Sequence, residues 1–285
     1  MDSLQYQEGI CRHPQCGRSL FYRLWKPPAF HKLLVVVHGF GEHSGRYQSI
    51  ASDLAERGMA VACPDLWGHG RSGGARGDIE RFGYYVDDLE VVIGQVLGGL
   101  GGRTPDFAVF GHSFGGLLAV HWALRHPTGL HSLILQSPLL GIGFPVPQWK
   151  QHGARLFAKI CGELALSTGL DPAALSHDAT VVRLYRDDPL VHDRISLRGY
   201  ISLQEAIREA HKESGRLTTS TLVLYGNNDR IISIKACRDF FERLNCPKRI
   251  IEFPGCFHEL HHESVKHSVI EEITKWVQRH GSTTR

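Results

Sequence analysis

The stretch Phe110-Gly111-His112-Ser113-Phe114-Gly115-Gly116 decides the fold of this chain. It fits the pattern G-x-S-x-G. It stands between an apolar run at 107–110 and a helically spaced stretch at 115–125 that stops before His126-Pro127. A serine at such a junction sits on a sharp, strained strand-to-helix turn with its hydroxyl exposed. Gly111 and Gly115 leave room where a Cβ would strike the neighbouring strand or helix. The helix beginning near Gly115 points its unpaired N–H groups at the site, where they favour developing negative charge. The plain alternative is a glycine-rich turn without chemistry, which leaves the serine and both glycines with no common reason.

Outward from that junction, short apolar runs recur at 33–37, 60–63, 130–135, 221–225 and 249–253, besides 107–110. They carry Val, Ile and Leu on both faces, as buried parallel strands do. The run 21–25 adds an antiparallel edge strand. Between them lie helical patterns at 46–57, 84–97, 198–212, 235–244 and 263–278. This alternation predicts an α/β fold, a mostly parallel central sheet flanked by helices. One segment, 138–196, shows no strand-like run. It opens with Pro138, Gly141, Gly143, Pro145 and Pro147 and continues with two helical stretches, 149–164 and 172–186. It reads as an insertion, so the expected organisation is a core of 1–137 and 197–285 interrupted by 138–196.

A second glycine motif, His38-Gly39-Phe40-Gly41-Glu42-His43-Ser44-Gly45-Arg46-Tyr47, directly follows the run 33–37. Its glycines free the backbone to turn an N–H toward a nucleophile, and the tetrahedral intermediate of acyl transfer needs two such donors. The backbone N–H groups of Phe40 and Phe114 are the expected pair; an ordinary glycine turn is the alternative.

A serine hydroxyl is a weak nucleophile without a histidine base. Among 18 histidines only position can select. On such a sheet the chain order is serine, acid, histidine, with acid and base each following a late strand. Asp229 follows 221–225 within Gly226-Asn227-Asn228-Asp229-Arg230, and His258 follows 249–253 within Pro254-Gly255-Cys256-Phe257-His258. The rivals fit worse: His112 is inside the turn, His38 precedes the glycine loop, and His261 and His262 lie further along. The expected catalytic set is Ser113, Asp229 and His258.

Composition narrows the rest. The 285 residues suffice for one large domain or two small ones, and 42% hydrophobic with 21% charged residues is ordinary for a globular chain. A net charge of +3, scattered among acids, does not imply nucleic acid. Seven cysteines form no recognisable disulfide framework and are expected as free thiols in a reducing compartment. Cys11 and Cys16 bracket His13, but without a second Cys/His pair this is weak evidence for a metal. Residues 1–10 lack a signal-peptide pattern, and the longest aliphatic run, 33–37, is far short of the roughly 18 residues of a membrane span. A soluble, cytoplasmic protein is expected, with at most peripheral membrane contact. No cofactor is implied, since there is no P-loop, nucleotide fingerprint or metal-ligand cluster.

Together these motifs resemble the monoacylglycerol lipase and lysophospholipase group of α/β hydrolases, from about Tyr22 to His280. The likeness is tightest over HGFGEHSGRY (38–47), PDLWGHGRSGG (64–74), GHSFGG (111–116), DPLVH (188–192), GNNDRI (226–231) and FHELHHE (257–263). The resemblance implies the α/β-hydrolase fold and ester cleavage of a monoacylglycerol through an acyl-enzyme. It also implies a helical cap formed by 138–196 that carries the acyl chain, for which Phe144, Trp149, Leu156, Phe157, Ile160, Leu164 and Leu166 offer apolar surface. It further implies that Glu42, Arg46, Tyr185 and His261 hold the glycerol head; Glu42 and Arg46 forming a structural ion pair is the alternative. Other readings are a lysophospholipase, a broad carboxylesterase, a peptidase on the same scaffold, or a ligand-binding receptor without turnover.

Overall fold

Five of the six expected apolar runs become strands buried on both faces, but the last, 249–253, becomes an edge strand with Arg249 and Glu252 exposed, because only one neighbouring strand covers it. The computed structural model describes residues 4–100, 105–144, 157–158 and 160–280. Among these, β1 (Gln5–Arg12), β2 (Ser19–Lys26), β3 (Lys32–Val37), β4 (Met59–Pro64), β5 (Asp106–His112), β6 (Leu130–Gln136), β9 (Ser220–Gly226) and β10 (Lys248–Phe253) form one eight-stranded sheet. Its order is β1-β2-β4-β3-β5-β6-β9-β10. The six strands from β4 to β10 run parallel, and β1 and β2 are antiparallel to their neighbours.

Along β3 the side chains alternate between two cores. Leu33, Val35 and Val37 face one, with α2 (Phe82–Gly99), α3 (Phe114–Arg125), α5 (Leu197–Glu213) and α6 (Ile234–Arg243) packed over it. Leu34 and Val36 face the other, under α1 (Gln48–Glu56) and α7 (Lys266–Arg279). Burying such a side chain stabilises the fold by about 1.5–3 kcal/mol each. The chain reverses direction across the sheet between β3 and β5, and ligands of open α/β sheets bind beyond the strand ends at such a switch point.

Three further expectations need correction. The run 21–25 is not the edge: β1 lies outside β2. β1 reads Gln-Tyr-Gln-Glu-Gly-Ile-Cys-Arg, has no run of Val, Ile and Leu, and is exposed over most of its length, so it carries little apolar signal. Segment 138–196 does contain strand, since β7 (Ala165–Ser167) pairs with β8 (Arg194–Ser196), both too short for a periodicity to register. The stretch 172–186 splits into a single turn, Pro172–Ala174, and α4 (Ala179–Asp187), because Asp171 and Asp178 each cap the element that follows them. Pro145, Pro147, Trp149 and Leu156, and most of the expected helix 149–164, lie outside the described residues.

Candidate functional site

Ser113 is the hinge between β5 and α3, at φ 52° and ψ −116°. Only Ser113 and Ser137 among the described non-glycine residues have positive φ. Such a conformation costs on the order of 1–3 kcal/mol and persists only where its surroundings enforce it. The enforcement is steric: a Cβ on Gly111 would stand 2.3 Å from the Gly115 carbonyl oxygen, and one on Gly115 would stand 2.2 Å from that of Val37. Both glycines therefore have the packing role expected of them. The turn leaves Ser113 at the N-terminus of α3 and on the wall of a cavity.

The loops after β9 and β10 meet at this wall. Asp229 is buried, and its Oδ1 accepts the backbone N–H groups of Ile231 (2.8 Å) and Ile232 (3.1 Å). That fixes the carboxylate so that Oδ2 accepts from Nδ1 of His258 at 2.7 Å. With the proton on Nδ1, Nε2 of His258 keeps its lone pair and can act as a base. Burial works against the charged imidazolium, but the Asp229 carboxylate outweighs it and raises the His258 pKa. Burial likewise works against the Asp229 carboxylate, and the imidazole and the two N–H groups hold its pKa below the usual value. His258 lines the same cavity as Ser113.

That cavity encloses about 1030 Å³. Glu42, His112 and Glu259 make one part of its wall polar, while Leu139, Leu166, Leu170, Leu175 and Leu203 represent a far larger apolar remainder. Phe40 lies in the loop after β3 and meets the ring of Phe114, the first residue of α3, edge to face at 5.4 Å. The two expected backbone donors thus belong to adjoining segments beside Ser113.

The loop 38–47 also builds a charged knot. A turn at Ser44–Tyr47, capped by the His43 side chain, puts Glu42 and Arg46 one helical turn apart, and they pair directly. Glu42 Oε1 also accepts from the Gly39 N–H (2.6 Å) and the Tyr47 hydroxyl (2.7 Å). The Arg46 guanidinium grips Glu259 with both nitrogens, at 2.6 and 2.8 Å, and lies 4.7 Å from the centre of the Tyr185 ring. All three charges are buried. Burial raises the pKa of Glu42 and Glu259, but Arg46 reverses this and keeps both carboxyls ionised below their usual range.

The four candidate head-group residues do not share one surface. Glu42 and Tyr185 line the cavity; Arg46 and His261 are not among its lining residues. His261 is 1% exposed, stacks on Tyr47 at 4.8 Å and bonds the Gln136 side chain at 2.7 Å, leaving its buried Nε2 without a partner among the described residues. Sequence reasoning gave no role to Glu259, although it lies within the quoted FHELHHE segment, nor to His112 as a cavity residue. His112 is pushed down to a pKa of about 4 by burial and by His258, and is therefore neutral. Cys11 and Cys16 do not form one ligand set: the donor atoms of His13, Cys16 and Asp88 lie within 4.8 Å of one another, and Arg18 already pairs with Asp88 at 3.2 Å.

The family described as serine aminopeptidase, S33 (Hydrolase_4) matches residues 28–265. A monoglyceride lipase homolog of monkeypox virus is 33% identical over 264 residues, 90% of this chain and 94% of that protein. The monoglyceride lipase of Homo sapiens is 32% identical over 276 residues, 94% of this chain and 89% of that protein. The crystal structure of Paleococcus ferrophilus monoacylglycerol lipase superposes with a TM-score of 0.80 at 31% identity, covering 98% of this chain and all of that one.

Proposed function

The chain belongs to the Hydrolase_4 family of α/β hydrolases, and from that premise we propose that it hydrolyses monoacylglycerols to fatty acid and glycerol, with Ser113, His258 and Asp229 as its catalytic residues. One observation carries this reading. A serine on an enforced strained turn and a histidine bonded to a buried aspartate open onto a single cavity that is polar beside them and apolar beyond. The names and structures of the relatives support the substrate class.

In this scheme Ser113 Oγ attacks the ester carbonyl while His258 Nε2 takes its proton, and Asp229 stabilises the imidazolium. The backbone N–H groups of Phe40 and Phe114 receive the oxyanion. The intermediate collapses, His258 returns the proton to the leaving glycerol oxygen, and a water molecule repeats the sequence on the acyl-enzyme to release the fatty acid. Glu42 and Tyr185, on the cavity wall, are the direct partners proposed for the glycerol hydroxyls. Arg46 and His261 act from behind them, Arg46 by fixing the Glu42 carboxylate and the Tyr185 ring.

Residues 138–196 serve as the cap. Phe157, Leu164 and Leu166 line the cavity and yet are more than half exposed, and Ile160 beside them is 79% exposed. An apolar rim of this kind suits an enzyme that draws its substrate from a membrane surface while itself remaining peripheral. No described helix is long and apolar enough to cross a membrane. The seven cysteines, all free, fit a reducing compartment such as the cytoplasm.

The test is a parallel assay of a long-chain monoacylglycerol, the matching lysophosphatidylcholine and a short p-nitrophenyl ester. The highest kcat/KM is expected for the monoacylglycerol. A higher value for lysophosphatidylcholine would overturn the glycerol assignment.

A further inference from the structure

Ser137, just past the end of β6, shares its unusual backbone with the proposed nucleophile and has no role in the scheme above. Its φ is 43° and it is fully buried. Glycine would adopt that φ without strain, so what serine adds at this position is its hydroxyl. That hydroxyl donates to the backbone carbonyl of His258 at 2.9 Å. The Ser137 N–H donates to the carbonyl of Leu224 on β9, the strand that leads to Asp229, at 2.7 Å. On either side of Ser137 the chain grips the nucleophile: the Gln136 carbonyl accepts the Ser113 N–H at 3.0 Å, and the Leu139 N–H donates to the Ser113 carbonyl at 2.9 Å.

Residues 136–139 are therefore tied by hydrogen bonds to the nucleophile, to the strand before the acid and to the loop of the base. In each case the tie is to backbone, which sets where a side chain starts from. We propose that Ser137 is a positioning residue: its strained turn and its hydroxyl fix the His258 main chain against Ser113, so that the imidazole stands at the correct height over the nucleophile. The inference rests on the triad proposed above. Ser137 does not touch the reacting atoms, and its effect appears in the chemical step and not in substrate binding.

Ser137→Gly separates the two contributions, because glycine accepts the positive φ but lacks the hydroxyl. Active sites are titrated with a fluorophosphonate, and kcat is expressed per titrated site. A displaced base costs about 10- to 100-fold in kcat per site, with KM changed less than about twofold. The thermal midpoint of Ser137→Gly should stay near that of the unsubstituted protein, since relief of the positive-φ strain offsets the lost hydrogen bond. Ser137→Ala should show the same kcat loss with a lowered midpoint, and if it fails to fold the glycine variant alone decides. An unchanged kcat per titrated site in Ser137→Gly would overturn the inference, as would a loss confined to the number of titratable sites. A Ser113→Ala control run alongside distinguishes the failures: persistent fluorophosphonate labelling there would sink the triad itself, whereas a silent control beside a fully active Ser137→Gly sinks only the positioning role.

Discussion

The strand ends that carry Ser113, Asp229 and His258 and the segment 138–196 above them are built on opposite terms. At the strand ends, glycines admit backbone contacts that no Cβ would allow, and the charged side chains are buried and paired. Over the cavity, β7 and β8 have three residues each, and Phe157, Ile160, Leu164 and Leu166 turn apolar surface to solvent. The first region fixes its groups by buried hydrogen bonds and ion pairs, as the proposed proton transfer demands. The second leaves apolar side chains uncovered, which suits the proposed binding of an apolar chain. The proposed chemistry and the proposed choice of substrate thus fall to parts of the molecule with opposite burial.

Substitutions that probe this division should rank accordingly. Ser113→Ala should lower kcat on the order of 10⁵- to 10⁶-fold with little change in thermal midpoint, measured by hydrolysis of a p-nitrophenyl ester. A modest loss would mean that the rigid region does not hold the nucleophile. Next, Asp229→Asn should lower kcat about 10³- to 10⁴-fold. It should also move the pH profile in a defined direction. With neutral His258 as the proposed base, kcat/KM of the unsubstituted protein should fall as pH drops through a midpoint above the ordinary imidazole value, because Asp229 raises that pKa. Without the carboxylate, burial is opposed only by the lesser pull of Glu259 and Glu42, and the midpoint should move down; a midpoint that stays put would contradict the assigned pairing.

Arg46→Met sharpens the comparison on stability. It leaves Glu42 and Glu259 buried without their shared cation, a defect of about 3–5 kcal/mol, read from denaturant unfolding at neutral pH. With Arg46 present both carboxyls have depressed pKa values, so their contribution is present above the ordinary glutamate value and lost as pH falls toward the folded one. In the variant the largest opposing charge is gone, so burial raises both carboxyls relative to the unsubstituted protein even though Tyr47 still donates to Glu42, and the deficit should shrink as the solution is acidified. A deficit that does not change with pH would show that the guanidinium acts by packing alone.

The smallest stability effect belongs to the proposed cap. Phe157→Ser with Ile160→Ser should change unfolding free energy by no more than about 0.5 kcal/mol per site, since both side chains are already exposed. The same pair should weaken co-sedimentation with phospholipid vesicles. Undiminished vesicle binding would remove the membrane role proposed for this rim.

Legibility in the sequence followed the same division. The sheet could be read because strands buried on both faces need apolar runs, and the candidate triad because Ser113 and Asp229 follow such runs and His258 follows the shorter apolar pattern of an edge strand. β1 escaped because an edge strand with a mostly exposed surface needs no apolar pattern. β7 and β8 escaped because three residues are too few to show a period of two. Glu259, Gln136 and Ser137 were passed over for another reason: their partners, Arg46, His261 and His258, lie 213, 125 and 121 residues away in the chain.

The sequence by itself determined what local sterics and burial dictate: the parallel strands, the strained turn at Ser113 with its two obligatory glycines, and which acid and histidine stand at late strand ends. Only the tertiary structure decided which of the head-group candidates face the cavity, that Arg46 is shared by two buried carboxylates, and that Ser137 ties the loop of His258 to the strand before Asp229. Propensity and periodicity act between residues a few positions apart, whereas a hydrogen bond or an ion pair acts between residues that folding has brought within about 3 Å, whatever their separation along the chain.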